Sequence, residues 1–394
     1  MATAPADMGE LPAGRDLRGA VAGWEGELRA DGLHLLSVHE ACRPAFVAAW
    51  QTLAAGAVEP NPFFEPWFLL PSLQAFDPHC EVRLAAFFEG NTLAGLYPLR
   101  RSRDYYGYPI PHWTGWLHAN AFFGAPLVAA GSERAFWHAM MEQADAHAGS
   151  ALFLHLPLCP PDGRIAATLE AEALASGRPC GTVRTEERAM LSSGLSAAAY
   201  FEQSMPNKKR KELRRQAKRL GEEGKLEFDR QEDATDVTAW TAEFLALERA
   251  GWKGGEGSAL AEDDATCAMF RETMAGAAEA GKLERLTLRL DGKPIAMLAN
   301  FLTPPGAYSF KTAYDENYAR FSPGVLIQRE NLALLEREDI EWCDSCAAQG
   351  HPMIERIWRE KRPIASYSVG IGGKLRRAIF KQLLRRETRE RKLP

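Results

Sequence analysis

The sequence predicts an α/β (α+β) protein of two tandem halves, each a mixed, mostly antiparallel sheet flanked by helices. A strand–turn–strand pattern occurs at 83–99 and again at 286–302, with glycine-containing turns at 89–90 and 291–292. Each hairpin is followed by another apolar segment, a helical pattern and an apolar strand. The same order of elements, repeated after 202 residues, indicates a tandem duplication.

Apolar periodicity places the individual elements. Helices are predicted at 132–149 and 323–338, and strands at 151–158, 225–230 and 340–347. The stretch 16–74 is predicted to be largely helical, with proline-rich breaks. A further helix is predicted over 208–220, because Leu213, Ala217 and Leu220 form one apolar stripe.

Composition indicates a soluble globular protein, since 46% of the 394 residues are hydrophobic and 25% are charged. The seven cysteines are odd in number and irregularly spaced, which favours a reducing compartment. Cys343 and Cys346 form a lone CxxC without a second pair of ligands, so no metal is expected. No run of 18 apolar residues occurs, which predicts no membrane-spanning helix.

Positive charge is concentrated in two segments of an acidic chain. The net charge is −5, yet 208–220 contains eight basic residues and one acidic, and 371–394 contains nine and two. In the second segment Leu375, Ile379 and Leu383 follow one another at intervals of four residues, beside basic residues. This pattern is typical of a helix lying on an anionic membrane. A frayed, solvated end is the alternative. Because 208–220 lacks interleaved aromatic residues, no nucleic acid is expected as a partner.

A candidate anion site follows the predicted strand at 308–312. Ser322 is a favourable N-cap, Pro323 a favourable first helical residue, and Gly324 allows a ligand close to the backbone. A strand, a loop and a helix N-terminus with free N–H groups suit a pyrophosphate. Ordinary helix capping is the alternative interpretation.

Four segments, taken in order, resemble the GNAT-fold acyltransferases. They are "NKKRKELRRQAKRLGEEG", "FLALERAGWKG", "DGKPIAMLANF" and "YSFKTAYDENYARFSPGVLI". The similarity is closer to the branch of the cellulose-biosynthesis protein CelD and the Fem peptidyltransferases, which has two tandem GNAT domains. It covers roughly residues 60–370 and is clearest over 204–360.

The resemblance implies that an acyl-CoA co-substrate places its pyrophosphate on the backbone amides at the start of the helix after the central strand. The corresponding residues are Arg320, Phe321, Ser322, Pro323, Gly324 and Val325. The usual GNAT motif, Arg/Gln-x-x-Gly-x-Gly/Ala, would place glycines where this sequence has Pro323 and Val325. The Ser-Pro-Gly form is similar to the CelD/Fem branch. Fem enzymes use aminoacyl-tRNA, so that donor stays open as an alternative.

Direct N-acyl transfer needs a base for the amine, a polarised carbonyl and a proton for the leaving thiolate. Near the expected cleft, Asp344 or His351 is predicted as the base and Tyr314 as the proton donor, with Lys311 a further catalytic candidate. For each residue the alternative is a surface or capping role. An acyl-cysteine intermediate on the CxxC is less favoured, because no histidine is paired with either thiol.

The aromatic stretch at 105–128 is predicted to line an apolar substrate channel between the domains. Its candidate lining residues are His112, Trp113, His118 and Asn120. Packing between the domains is the alternative. Nothing in this half resembles a phosphate loop, so the first domain is expected to have lost donor binding.

The predicted organisation is a disordered segment at 1–20, a first GNAT-like domain at 21–200, a catalytic, acyl-CoA-binding domain at 201–372 and a basic amphipathic tail at 373–394. The leading hypothesis is acyl-CoA-dependent N-acylation of a lipid amine, as in the bacterial ceramide synthases. The alternatives are acylation of an exopolysaccharide or nucleotide sugar, aminoacyl-tRNA-dependent transfer, and a non-catalytic membrane adaptor. The expected location is the cytoplasm, either free or peripheral on the inner membrane.

Overall fold

The computed structural model describes residues 31–251, 255, 257 and 259–390, so the predicted disordered segment at 1–20 lies outside the described residues. The strands are β1 Gly32–Leu36, β2 Arg83–Glu89, β3 Thr92–Ser102, β4 His112–Gly115, β5 Leu127–Val128, β6 Phe153–Cys159, β7 Cys180–Leu191, β8 Leu226–Gln231, β9 Leu283–Leu290, β10 Lys293–Thr303, β11 Gly306–Tyr314, β12 Trp342–Asp344 and β13 Glu360–Gly370. The helices are α1 Val38–Ala41, α2 Pro44–Ala55, α3 Pro66–Phe76, α4 Glu133–Ala146, α5 Arg164–Ala175, α6 Ala197–Ser204, α7 Asn207–Glu223, α8 Val237–Ala250, α9 Asp264–Glu279, α10 Pro323–Glu330 and α11 Lys374–Glu390.

The strands form one continuous sheet with a symmetric order. From edge to edge the order is β1-β2-β3-β4-β6-β13-β7-β12-β11-β10-β9-β8, with β5 paired to β3. We call β1–β7 the first half and β8–β13 the second half. In each half four antiparallel strands are followed by a parallel neighbour, β6 beside β4 and β12 beside β11. The mixed α/β sheet flanked by helices is therefore confirmed, and each half repeats the other.

The two halves exchange their last strands at the centre of the sheet. Strand β13 of the second half pairs with β6 of the first, and β7 of the first half pairs with β12 of the second. The exchanged strands also pair with each other, from Cys180 opposite Val369 to Met190 opposite Glu360. The predicted division of the chain at residue 200 stays a prediction, and this pairing crosses it.

Both predicted hairpins are present, with one difference in the first turn. Leu290 pairs with Lys293, so 291–292 form the second turn, where Asp291 and Gly292 have φ values of 48° and 79°. Two positive φ angles suit a tight hairpin turn. In the first hairpin Glu89 pairs with Thr92, so the turn is 90–91 and not the predicted 89–90. Gly90 still supplies a positive φ, of 58°.

Aromatic side chains from both halves form a shared core. The Phe63 ring lies 5.5 Å from Tyr308 and 6.2 Å from Phe310, both on β11. At its border the buried Glu65 carboxylate accepts from the Lys282 ammonium at 2.6 Å. Because aromatic burial and a mostly desolvated ion pair cross between the halves, their relative position is fixed by packing.

A buried carboxylate connects the exchanged strands. Asp344 on β12 is fully buried; its Oδ2 lies 3.1 Å from Arg362 Nη1 on β13 and 3.9 Å from Arg188 Nη1 on β7. The Arg362 guanidinium also stacks at 4.1 Å on the Trp342 ring. Two buried cations from exchanged strands therefore share one anion, and Glu186 pairs with the second of them at 2.9 Å.

The predicted strand at 340–347 is shorter in the structure. Strand β12 stops at Asp344 because its own carboxylate accepts from the Cys346 N–H at 2.8 Å, while Cys346 takes a positive φ of 52°. A side chain that bonds its own backbone two residues on forms a turn and ends a strand.

The basic tail is helical, and one side of it is part of the fold. Phe380 and Leu384 of α11 are buried against the first half, where the Phe380 ring stacks on Phe153 at 4.8 Å. Leu375 and Ile379 remain exposed. Among the described helices, none combines the length and apolar character that a bilayer span requires.

Replacing Asp344 with asparagine should lower the free energy of unfolding by about 3–5 kcal/mol, because the buried Arg362 would lose its ion-pair partner and Arg188 would keep only Glu186. Asp339→Asn is the matched control, since its ion pair with Arg337 is half exposed and should contribute less than about 1 kcal/mol. Urea denaturation measures both. Equal values for the two variants would contradict the structural role, and a normally stable Asp344→Asn protein without activity would favour the role of general base.

Candidate active site

The candidate site begins where β11 and β12 separate. The two strands pair only from Gly306 opposite Trp342 to Tyr308 opposite Asp344, yet β11 continues to Tyr314. No described strand pairs with this edge of β11 beyond Tyr308. The resulting fork leaves backbone N–H and C=O groups available to an extended ligand, because each strand residue presents such groups to a neighbour.

A β-bulge lies immediately inside the fork. On β10 the residues Ala299 and Asn300 are adjacent, but their partners on β11 are Lys311 and Ser309. Phe310 is therefore the extra residue, and a bulge interrupts the ladder and redirects the groups beside it. The bulge depends only on the register between β10 and β11, so it could not be predicted from the sequence.

The predicted loop and helix follow β11 directly. Residues Glu316–Phe321 form a 3-10 turn, and α10 begins at Pro323 with Ser322 as its N-cap, as predicted. The Ser322 hydroxyl makes no capping hydrogen bond, because its φ and ψ of 57° and 50° are left-handed and not the extended values that side-chain capping needs. The Gly324 N–H has no hydrogen-bond partner among the described residues, so an N-terminal donor is available.

Close packing surrounds Gly324. A Cβ atom at this position would lie 2.7 Å from Met353 Sδ and 3.1 Å from the Tyr314 ring. Glycine therefore allows the end of β11 and the segment after β12 to meet at the start of α10. Arg320, next to this loop, forms an ion pair at 2.8 Å with Glu223 of α7. The basic helix α7 thus lies beside the candidate anion site.

Three of the predicted residues meet between the two halves. The Lys311 ammonium donates to Asn120 Oδ1 at 2.7 Å, and the Asn120 N–H donates to His118 Nδ1 at 3.4 Å. Burial, with a smaller contribution from the Lys311 charge, lowers the pKa of His118 to about 3. The imidazole is therefore neutral at physiological pH, as its role as an acceptor requires.

The other two predicted channel residues lie elsewhere in the first half. His112 stacks on Phe153 at 5.0 Å and faces Tyr105, beside the tail helix. Trp113 lies under Arg101, whose guanidinium is 4.8 Å from the ring centroid. The proposed channel set is thus split: His118 and Asn120 lie together, while His112 and Trp113 belong to another part of the core.

The structure also places the remaining catalytic candidates. Asp344 is enclosed by the arginines described above, so solvent does not reach its carboxylate. His351 lies on the turn before the 3-10 segment Ile354–Arg356, and its carbonyl accepts from the Glu355 N–H at 3.1 Å. Burial raises the pKa of the Cys343 and Cys346 thiols well above their usual value, which keeps them protonated and poorly nucleophilic.

The corresponding fork of the first half is occupied by the protein itself. After β4 the chain turns back, and the Gly124 N–H donates to Leu158 O at 2.9 Å, beside the end of β6. A Cβ atom on Gly124 would lie 2.1 Å from Pro157 O, so the backbones are in direct contact. The pairing of β4 with β3 has no bulge. Of the two forks, only that of the second half combines a bulge with a helix N-terminus.

Comparison with known proteins identifies the class of fold. Residues 207–351 match the family model described as an acetyltransferase (GNAT) domain. The structure is similar to FemX, with 11% identity, a TM-score of 0.54, and coverage of 82% of this chain and 95% of that one. It is also similar to the C-terminal domain of a protein described as a lysylphosphatidylglycerol synthetase from Agrobacterium fabrum, with 12% identity, a TM-score of 0.52 and coverage of 86% and 95%.

A third similar structure is a conserved protein of unknown function from Bacteroides thetaiotaomicron, with 14% identity, a TM-score of 0.51 and coverage of 82% and 97%. No curated protein sequence matches the chain. The chain thus has a GNAT-like fold, and its matched domain indicates a transferase.

Acidification should destabilise the protein through His118. The unfolded histidine takes up a proton below about pH 6.5, whereas the folded one does so only near 3. The unfolded state is therefore favoured as pH falls between these values, by about 2 kcal/mol at pH 5. His118→Gln should remove that part of the difference between unfolding free energies at pH 7 and pH 5. The exposed His79→Gln is the control, and an unchanged difference in the His118 variant would contradict the assignment.

Proposed function

We propose that this protein transfers an acyl group from acyl-CoA to the amine of a lipid-like acceptor, best represented by a long-chain sphingoid base. The observation that supports this most is the fork of the second half, where an unpaired strand edge, the bulge at Phe310 and the start of α10 occur together. An extended pantetheine arm suits the strand edge, and a pyrophosphate suits a helix N-terminus.

In this proposal the acceptor amine attacks the thioester carbonyl carbon. A C–N bond forms, the C–S bond breaks, the amine loses a proton and the thiolate gains one. Backbone N–H groups at the bulge and the Lys311 ammonium are proposed to polarise the carbonyl, since preorganised donors favour developing negative charge. Tyr314, whose ring lies against Gly324, is the proposed proton donor to the thiolate.

Acid–base roles are assigned by comparing burial, since His351 is half-buried and Asp344 is fully buried. His351 precedes Met353, which contacts the Gly324 position, and it is the proposed base. The enclosed Asp344 is proposed as a positioning residue, because its ion pair with Arg362 connects β12 to β13 at the mouth of the fork. His118 and Asn120, from the first half, are proposed to orient the acceptor beside Lys311.

A second candidate is transfer of an aminoacyl group from aminoacyl-tRNA. Its support is the likeness in fold to FemX and to the protein described as a lysylphosphatidylglycerol synthetase. Both candidates use the same fork and an amine or hydroxyl acceptor. They differ in whether a CoA thiol is released, which makes them separable by a single assay.

The purified protein, incubated with acyl-CoAs of increasing chain length and a panel of amines, should release free CoA only with long-chain donors and sphinganine. Tyr314→Phe should lower kcat by about 10²-fold or more with little change in the KM for acyl-CoA, and Tyr318→Phe is the matched control. Release confined to acetyl-CoA with sugars would favour the sugar acceptor. No CoA release together with consumption of aminoacyl-tRNA would replace the proposal with the second candidate.

Ser322→Asp separates ligand binding from folding. A carboxylate at a helix N-terminus interacts favourably with the dipole, so stability should stay the same or rise by about 0.3–1 kcal/mol. The same charge should repel a pyrophosphate and raise the KM for acyl-CoA about tenfold or more, for a cost above about 1.4 kcal/mol. Ser196→Asp at the N-cap of α6 is the matched control. An unchanged KM would move the donor phosphates away from α10.

A further inference from the structure

The tail helix α11 has two different apolar surfaces. Phe380 and Leu384 are 2% and 8% exposed and face the body of the protein. Leu375 and Ile379, one helical turn apart, are 78% and 47% exposed. Large aliphatic side chains that are so exposed, on a helix whose core-facing positions are already filled, are available to a partner.

Contacts along its length hold α11 in one orientation. The Arg377 guanidinium lies 2.7 Å from Asp145 Oδ2, which also binds Arg178. About 15 Å further along the helix, by the usual rise per residue, Glu387 accepts from the Tyr105 hydroxyl at 3.1 Å. Because polar contacts hold both ends and Phe380 anchors the middle, the outward direction of Leu375 and Ile379 is a fixed property of the fold.

Positive charge surrounds these two apolar residues. The exposed basic residues of the helix are Lys374, Lys381, Arg385, Arg386 and Arg389. Within the described part of the chain, no carboxylate forms an ion pair with any of the five. On a protein whose net charge is −5, such a concentrated positive face indicates an anionic partner.

We propose that the outer face of α11 binds an anionic lipid surface, with Leu375 and Ile379 entering the boundary between headgroups and acyl chains. Interfacial helices combine a small apolar patch with lysines and arginines that reach the headgroups. This inference goes beyond the proposed function, because it concerns attachment and holds whichever donor or acceptor is used.

The other basic helix provides a contrast within the same chain. In α7 the apolar residues Leu213 and Leu220 are both buried. Its basic side chains therefore have no exposed large apolar residue on the same helix to insert with them. Charge alone attracts anions over a distance of about a Debye length. Replacing basic residues of α7 therefore tests whether positive charge without an exposed apolar residue is enough for attachment.

The experiment is co-sedimentation of the full chain with vesicles of phosphatidylcholine, with and without phosphatidylglycerol. Wild type should bind only the anionic vesicles. Leu375→Gln together with Ile379→Gln should weaken binding at least about tenfold, and so should Lys381→Gln with Arg385→Gln and Arg386→Gln. The matched control replaces three exposed lysines of α7, namely Lys208, Lys209 and Lys211, with glutamine and should retain most of the binding.

Measurements of folding and activity distinguish a loss of membrane binding from a loss of structure. Leu375 and Ile379 are exposed, so the double variant should keep the wild-type unfolding midpoint and its turnover of a detergent-dispersed acceptor. Wild-type vesicle binding by this variant would overturn the proposal, as would an equal loss in the α7 control. Retention of the protein on RNA through the α11 residues, without vesicle binding, would replace the lipid surface by a nucleic acid. If wild type and all variants failed to transfer an acyl group, the proposed function would fail, and the vesicle assay would still decide whether α11 binds an anionic lipid surface.

Discussion

The charge balance around Asp344 is the constraint on which the rest of the structure depends. Exchange of β7 and β13 brings Arg188 and Arg362 into opposite positions at the centre of the sheet. Arg188 also pairs with Glu186, whereas Arg362 pairs with Asp344, and an unpaired buried charge costs several kcal/mol. Asp344 lies at the point where β12 ends and the fork begins, and it is within ion-pair distance of both arginines. The residue that balances buried charge on the exchanged strands therefore also lies at the mouth of the candidate site.

Features determined by neighbouring residues were predictable from the sequence. The two hairpins, the basic helix and the start of α10 at Pro323 follow from glycine, proline and apolar spacing within a few positions. The exchange of strands was not predictable, because the two strands are far apart in the sequence. Strand β7 ends at Leu191 and β13 begins only at Glu360. Apolar periodicity describes the face of a strand and contains no information about which distant strand pairs with it.

The same distinction between features set by neighbouring residues and features set by distant contacts applies to the candidate site. The candidate anion loop could be predicted because Ser322, Pro323 and Gly324 are consecutive. The bulge at Phe310 depends on register with β10, and the meeting of Lys311 with Asn120 depends on how the halves pack. Burial also changes the chemistry that the sequence predicts: Asp344, a candidate base, is enclosed, and His118 is a neutral imidazole. In the tail, helical spacing predicted an amphipathic helix, but it could not show that the fold buries Phe380 and Leu384 and leaves Leu375 and Ile379 exposed.

The exchange of the last strands has a consequence for biosynthesis. When the ribosome has completed residue 191, β6 and β7 have both been made, but β13, the strand that lies between them, has not. At that point β6 lacks one of its two neighbours and β7 lacks both, at positions that are central in the finished sheet. Each edge is a template for pairing with another nascent chain. The first half is complete only when the last strand of the second half has been made, so the sheet acquires its cooperative stability after β13 has been synthesised.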